Sequence, residues 1–195
     1  MSITDSGPGS LVQSAAAAHD PYKSGEWWSI NVKNLRPLLG ALERDICQWL
    51  EESKASSIRW DGKSYAVAEY FKANSIDPKH DDRYSKFYTN HRHTLAASYV
   101  WSTCKLSDFA DECEKLLYDG KRIWIDVLIT CQFNVGNVVS LTATIYIDCD
   151  VLLLLSDLVF RRAWCLLEAA NYCRNGCMLH VVGACSELLC NHASK

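Results

Sequence analysis

The chain has 195 residues and a mass of 22.0 kDa, and 49% of its residues are hydrophobic, enough for one substantial core with a small helical appendage. Lys and Arg number 20 against 23 Asp and Glu, a formal charge of -3 with no long block of one sign, so no nucleic-acid footprint is present. The apolar run Val151–Leu155 is far too short to span a bilayer, and Met1–Ser10 has neither a basic nor an apolar stretch of the kind that directs secretion. With ten cysteines scattered through apolar runs, these features predict a cytoplasmic protein with free thiols and no membrane or nucleic-acid partner.

Residues 1–25 lack periodicity and read as a mobile leader. From Asn34 to Glu52, Leu35, Leu38, Leu39, Leu42, Ile46 and Leu50 recur at three- and four-residue spacing, which predicts an amphipathic helix capped by Asn34, with Pro37 in its first turn. Ser64–Lys72 predicts a shorter helix, and Asn74–Asn90 a long connection pinned by Tyr84, Phe87 and Tyr88. Residues 26–90 thus form a helical N-terminal segment and connection.

From residue 91 onward strands and helices alternate, the pattern of a parallel sheet covered on both faces. Leu95–Val100 is the first strand. Ser107 caps a helix bearing Phe109, Cys113, Leu116 and Leu117, with Gly120 at its left-handed end. Arg122–Ile129, Val151–Leu155 and Met178–Val182 are the further strands. Asn134–Ile147 is ambiguous by periodicity, and the right-handed crossover between parallel strands favours helix there. The last helix runs from about Phe160 to Arg174 and stops at Asn175-Gly176.

Short stretches in this half resemble a known family. Leu95-Ala96-Ala97-Ser98-Tyr99-Val100-Trp101, Ile123-Trp124-Ile125-Asp126, and Thr144-Ile145-Tyr146 with Cys149-Asp150-Val151 are similar to segments of fungal heterokaryon-incompatibility (HET) domains. Arg161-Arg162-Ala163-Trp164-Cys165-Leu166-Leu167-Glu168 resembles both the HET "RAWTLQE" motif and the "WCLxE" helix of TIR domains. The matches span about 80 of 195 residues. Ser102 stands where HET domains carry glycine, Thr130-Cys131-Gln132-Phe133-Asn134 replaces their "CINQ" turn, and the long insertion before the last helix is missing, which favours TIR-like proportions.

The resemblance implies a flavodoxin-like, TIR-like α/β domain over residues 91–195, with a parallel sheet of about four strands flanked by helices. Only 13 residues follow Val182, fewer than the family's remaining C-terminal elements require. It further implies a signalling domain of cell-death or innate-immunity type that hydrolyses NAD+ at the nicotinamide–ribose bond, with Glu168 catalytic, NAD+ as substrate and no other cofactor. Trp164, Trp101, Ser102, Thr103, Asp126, Arg161 and Arg162 are then the candidate substrate-binding residues. Families of this kind also include non-enzymatic modules that self-associate or pair with other TIR-like domains, and the fold alone does not choose between the two.

Ligands of such a sheet bind beyond the carboxyl ends of its strands, where the strand order reverses. That points to the loops Trp101–Lys105, Thr130–Gly136 and Ser156–Arg162. Trp164 and Glu168 share one helical face. A helix beginning at Asp157 would put Glu168 about 16 Å from its mouth, so the reading requires a start between Phe160 and Ala163.

Each of these residues has a plainer reading. Glu168 is equally a surface glutamate, and Trp164 a packing residue. Asp126, inside an apolar strand, needs hydrogen-bond donors, which amides at the strand's end would supply. Asp148 and Asp150 read as turn formers. His91 and His93, with Cys104 or Cys131, and the pair Cys173 and Cys177 have no metal-ligand spacing, so no metal is predicted. No GxGxxG, GxxxxGK[ST] or GxSxG run occurs.

Overall fold

The computed structural model of the chain describes residues 27–53, 58–115, 120–132, 145–146, 149–155, 161, 163–173 and 178–182, without the side chains at 155, 164, 171, 172 and 178–182. The expected leader, most of the 134–147 crossover, the helix stop at 175–176 and everything after Val182 lie outside the described residues.

In chain order the elements are β1 (Trp28–Asn31), α1 (Val32–Ser53), α2 (Ser64–Ala73), β2 (Tyr88–Asn90), β3 (Leu95–Tyr99), α3 (Leu106–Lys115), β4 (Arg122–Trp124), the single turn α4 (Asp126–Ile129), β5 (Val151–Leu155), α5 (Ala163–Cys173) and β6 (Met178–Val182). Among the described residues the strands form one six-stranded sheet in the order β2-β1-β4-β3-β5-β6. Strands β4, β3, β5 and β6 run parallel, while β1 is antiparallel to both β4 and β2, so the sheet is mixed.

This corrects the expected sheet of about four parallel strands. The segment read as helix and connection supplies two strands to the same sheet. Both are short edge strands, below the length at which alternation announces itself.

Helix α1 buries Leu35, Leu38, Leu42 and Ile46 completely, each burial worth about 1.5–3 kcal/mol, while Lys33, Arg36 and Glu43 face water. It starts two residues before the expected cap. Asn31 Oδ1 accepts the backbone N–H of Lys33, while Asn34 Nδ2 donates instead to the Phe87 carbonyl. Pro37 therefore falls in the second turn, where its missing N–H leaves the carbonyl of the exposed Lys33 to solvent.

The 74–90 connection is pinned as expected. Tyr84 is fully buried, its hydroxyl donating to Asp45, and the Tyr88 hydroxyl donates to the Leu128 carbonyl at 2.6 Å.

Helix α3 begins at Leu106, not after a Ser107 cap. Asp108 reaches back to accept the Lys105 N–H at 3.0 Å, the second half of a capping box. Residues 116–119, where that helix is expected to end before Gly120, lie outside the described residues. Gly62 takes the left-handed conformation, at φ 79°, and its carbonyl accepts the Leu106 N–H at 2.8 Å, fastening the turn before α2 to the start of α3.

The largest departure concerns Arg122–Ile129, expected as one strand. Only Arg122–Trp124 pairs, and from Asp126 the chain turns into α4. A carboxylate in the middle of a doubly covered strand would be stranded among apolar groups, and leaving the sheet lets it collect donors. Strand β3 pairs with β5 along all five residues but with β4 only at Leu95 and Ala96. The β4 side of Ala97–Tyr99 is thereby left without a strand. No helix among the described residues is long and apolar enough to cross a membrane.

Candidate functional site

The gap beside β3 is where the pocket forms. Two β3 groups that β4 does not reach are satisfied by side chains: the Tyr146 hydroxyl donates to the Ala97 carbonyl at 2.8 Å, and the Cys165 thiol lies 3.7 Å from the Tyr99 carbonyl. Between these groups is a pocket of about 190 Å³, lined by Ala97, Tyr99 and Trp101 at every second position and by Asp126, Tyr146, Cys165 and Glu168. It sits at the carboxyl end of β3, where the parallel strand order reverses between β4 on one side and β5 on the other.

Glu168 reaches it from α5. That helix begins at Ala163, so Glu168 lies about 8 Å along it. The carboxylate is not the surface group of the plainer reading: Glu168 is 4% exposed and its Oε2 accepts the Ser98 hydroxyl at 2.5 Å. The Tyr146 hydroxyl lies beside it as well, and burial, together with the Glu168 and Asp126 charges, raises that phenol's pKa well above the ordinary value. Tyr146 is therefore a neutral donor at pH 7.

Asp126 lies on the opposite chain turn. Its Oδ1 accepts the Tyr99 hydroxyl at 2.9 Å and the Val127 N–H at 2.6 Å, and its Oδ2 accepts the Trp101 indole Nε1–H at 2.9 Å. Burial pushes the carboxyl above its ordinary value, opposed by these three donors. The expected amide at the strand's end is Val127, joined by two side-chain donors.

Of the residues singled out from sequence, Glu168, Trp101 and Asp126 meet at this pocket. Ser102 and Thr103 are exposed in the turn beyond it, and the Thr103 hydroxyl is turned back to the Val100 carbonyl at 3.2 Å. Arg161 is exposed just before α5 and is not among the lining residues. Arg162 and the side chain of Trp164 lie outside the described residues.

Tyr99, Ser98, Ala97, Tyr146 and Cys165 join the site without being singled out by their sequence positions. Tyr146 carried a usable signal, since a tyrosine in an apolar segment must find a partner for its hydroxyl. His93 has become a core residue, with Nε2 bonded to the Ile145 carbonyl at 2.9 Å. Among the described residues no three His, Cys, Asp or Glu side chains are grouped so as to hold a metal ion.

Chemically, the pocket offers two buried carboxyl groups, Glu168 and Asp126, an indole, Trp101, and two neutral phenols, Tyr99 and Tyr146. Its volume is below the roughly 300–1,000 Å³ of sites that enclose a whole drug-sized ligand, so it suits a single ring with the rest of a ligand outside. Comparison with models of known protein families, with curated proteins and with solved structures returns no match.

Proposed function

We propose that the chain is a TIR/HET-like signalling domain of flavodoxin-like order that cleaves the nicotinamide–ribose bond of NAD+, with Glu168 as its catalytic residue. The observation that carries this reading is Glu168 itself: a carboxylate almost wholly withdrawn from water that nevertheless lines a ring-sized pocket beside an indole. The strand order second-first-third-fourth within the parallel set, and the start of α5 at Ala163, agree with it.

A single catalytic carboxylate is enough for this bond. Ordinary glycosides need a second carboxyl group to protonate the leaving oxygen. Nicotinamide in NAD+ is a cation that departs neutral, so no acid is required, and one anion stabilises the oxocarbenium-like ribose as charge develops on it. Trp101 supplies a face for the planar ring. Asp126, with three donors already on it, is poorly suited to act as the acid that other glycosides would need.

The test is nicotinamide release from NAD+ by the full chain, at high protein concentration because assembly commonly promotes this chemistry in TIR domains. Wild type releases nicotinamide, and Glu168→Ala and Glu168→Gln lower the rate by a factor on the order of 10² or more. Equal release by all three removes Glu168 from its role.

A second reading is a non-enzymatic module that self-associates. It is favoured by Leu166 and Leu167, which stand 46% and 50% exposed on the helix that carries Glu168 inward. Absence of nicotinamide release from every protein, together with concentration-dependent assembly, supports this reading instead.

A further inference from the structure

Tyr99 stands between Ser64 Oγ at 2.7 Å and Asp126 Oδ1 at 2.9 Å. An ionised carboxylate can only accept, so the Tyr99 proton goes to Asp126, and the Ser64 hydroxyl must donate to Tyr99 Oη. The hydroxyls thus run in one direction, from Ser64 through Tyr99 to Asp126, and the carboxylate's other oxygen takes the Trp101 indole N–H.

The origin of this relay is fixed in place. Ser64 is fully buried at the first position of α2. The residues before it are tied to the start of α3 by the Lys63–Lys105 bridge and by the bond from the Leu106 N–H to the Gly62 carbonyl. Ser64 and the residues just before it precede β3, outside the strand–helix unit that carries Glu168.

The far end needs such an anchor. Trp101 lies past the last residue of β3, in a turn whose next two residues are exposed, and a large aromatic there has two free torsions unless something holds it. Asp126 holds it through the indole N–H, and Trp101 lines the same pocket as Glu168. A planar cationic ring between an indole and a carboxylate gains from both.

We infer that Ser64, Tyr99 and Asp126 are positioning residues that hold the Trp101 indole as the ring-binding wall of the pocket, so that α2, which precedes β3, is a working part of the site. This rests on reading the pocket as a nicotinamide site, and it has a readout that does not require turnover.

In the full chain labelled with 15N, the Trp101 indole signal is identified by its loss in Trp101→Phe. Ser64→Ala and Tyr99→Phe shift it, Ser64→Thr leaves it in place, and nicotinamide mononucleotide moves it in the wild type. Thermal unfolding confirms that each variant is folded. In nicotinamide release, Ser64→Ala raises KM for NAD+ about tenfold with kcat near wild type, as expected for loosening one hydrogen bond, and Ser64→Thr restores it. A Trp101 signal indifferent to Ser64→Ala overturns the relay, and one indifferent to the mononucleotide overturns the ring wall. Absence of release by the wild type sinks the hydrolase reading, while the indole signal still decides the wall.

Discussion

The Ser98 hydroxyl donates to Oε2 of Glu168 at 2.5 Å across 70 positions of sequence, joining the central strand β3 to α5 at the edge of the pocket. Glu168 is too deeply buried for water to replace that donor readily. Ser98→Ala therefore lowers the unfolding free energy by about 1–3 kcal/mol, the cost of leaving a buried polar group short of a partner. Glu168→Gln keeps a carbonyl oxygen for Ser98 and loses less stability. Urea unfolding of the two variants beside wild type measures the order, and a larger loss for Glu168→Gln would show that the charge itself supports the fold.

Tyr146 has two tasks at one atom: its hydroxyl satisfies the Ala97 carbonyl that β4 does not reach, and it lies beside Glu168. Tyr146→Phe leaves that carbonyl unpaired in the interior, at a cost of about 1–3 kcal/mol with the ring packing against Trp124 retained. The same urea series reads this loss. Tyr146→Leu, which also gives up the aromatic contact, falls further; equal losses in the two variants would mean that the ring contact contributes nothing, and an unchanged midpoint in Tyr146→Phe that the hydroxyl contributes nothing.

What the sequence discloses and what it hides divide along the range of the forces involved. The ends of β5 can be read from a continuous apolar run, those of β6 from an apolar run broken only by His180, and the inward face of α1 from Leu35, Leu38, Leu42 and Ile46, because burial imprints a local pattern. Strands β1 and β2 have four and three residues, too few for a pattern, and exist only because they pair with each other and with β4. The site divides in the same way. Glu168, Trp101 and Asp126 stand out as polar or aromatic residues in telling positions, but the burial of Glu168 depends on Ser98, and the setting of Trp101 on Asp126 and Ser64. No local window contains those pairs. The early end of β4 was disguised because Val127, Leu128 and Ile129, all buried, look as apolar in a helical turn as in a strand.

Leu166 and Leu167 supply the observation that favours assembly through α5. Replacing either by Lys removes an exposed apolar surface and adds charge at little cost to folding, within about 0.5 kcal/mol. If α5 mediates assembly, Leu166→Lys and Leu167→Lys shift sedimentation toward the monomer at concentrations where wild type is associated. If the enzyme requires assembly, nicotinamide release falls in parallel. Unchanged sedimentation would remove this face from the self-association reading.

His93 is 1% exposed, and burial lowers its pKa to about 4 from 6.5, with the bond to the Ile145 carbonyl pulling the other way. Because that carbonyl can only accept, Nε2 carries the proton and Nδ1 is a bare acceptor, without a partner among the described residues. Protonating Nδ1 would place a charge in the interior. Between pH 6.5 and 4 the unfolded chain binds this proton and the folded chain does not, so stability is full above about 6.5 and falls as pH drops toward 4. The loss approaches about 3 kcal/mol at the bottom of that window. His93→Gln retains an N–H for Ile145 but cannot titrate, so its urea midpoint should flatten between pH 6.5 and 4 even if it is lower at pH 7. A variant whose midpoint keeps the wild-type slope across that window would assign the acid sensitivity to other groups.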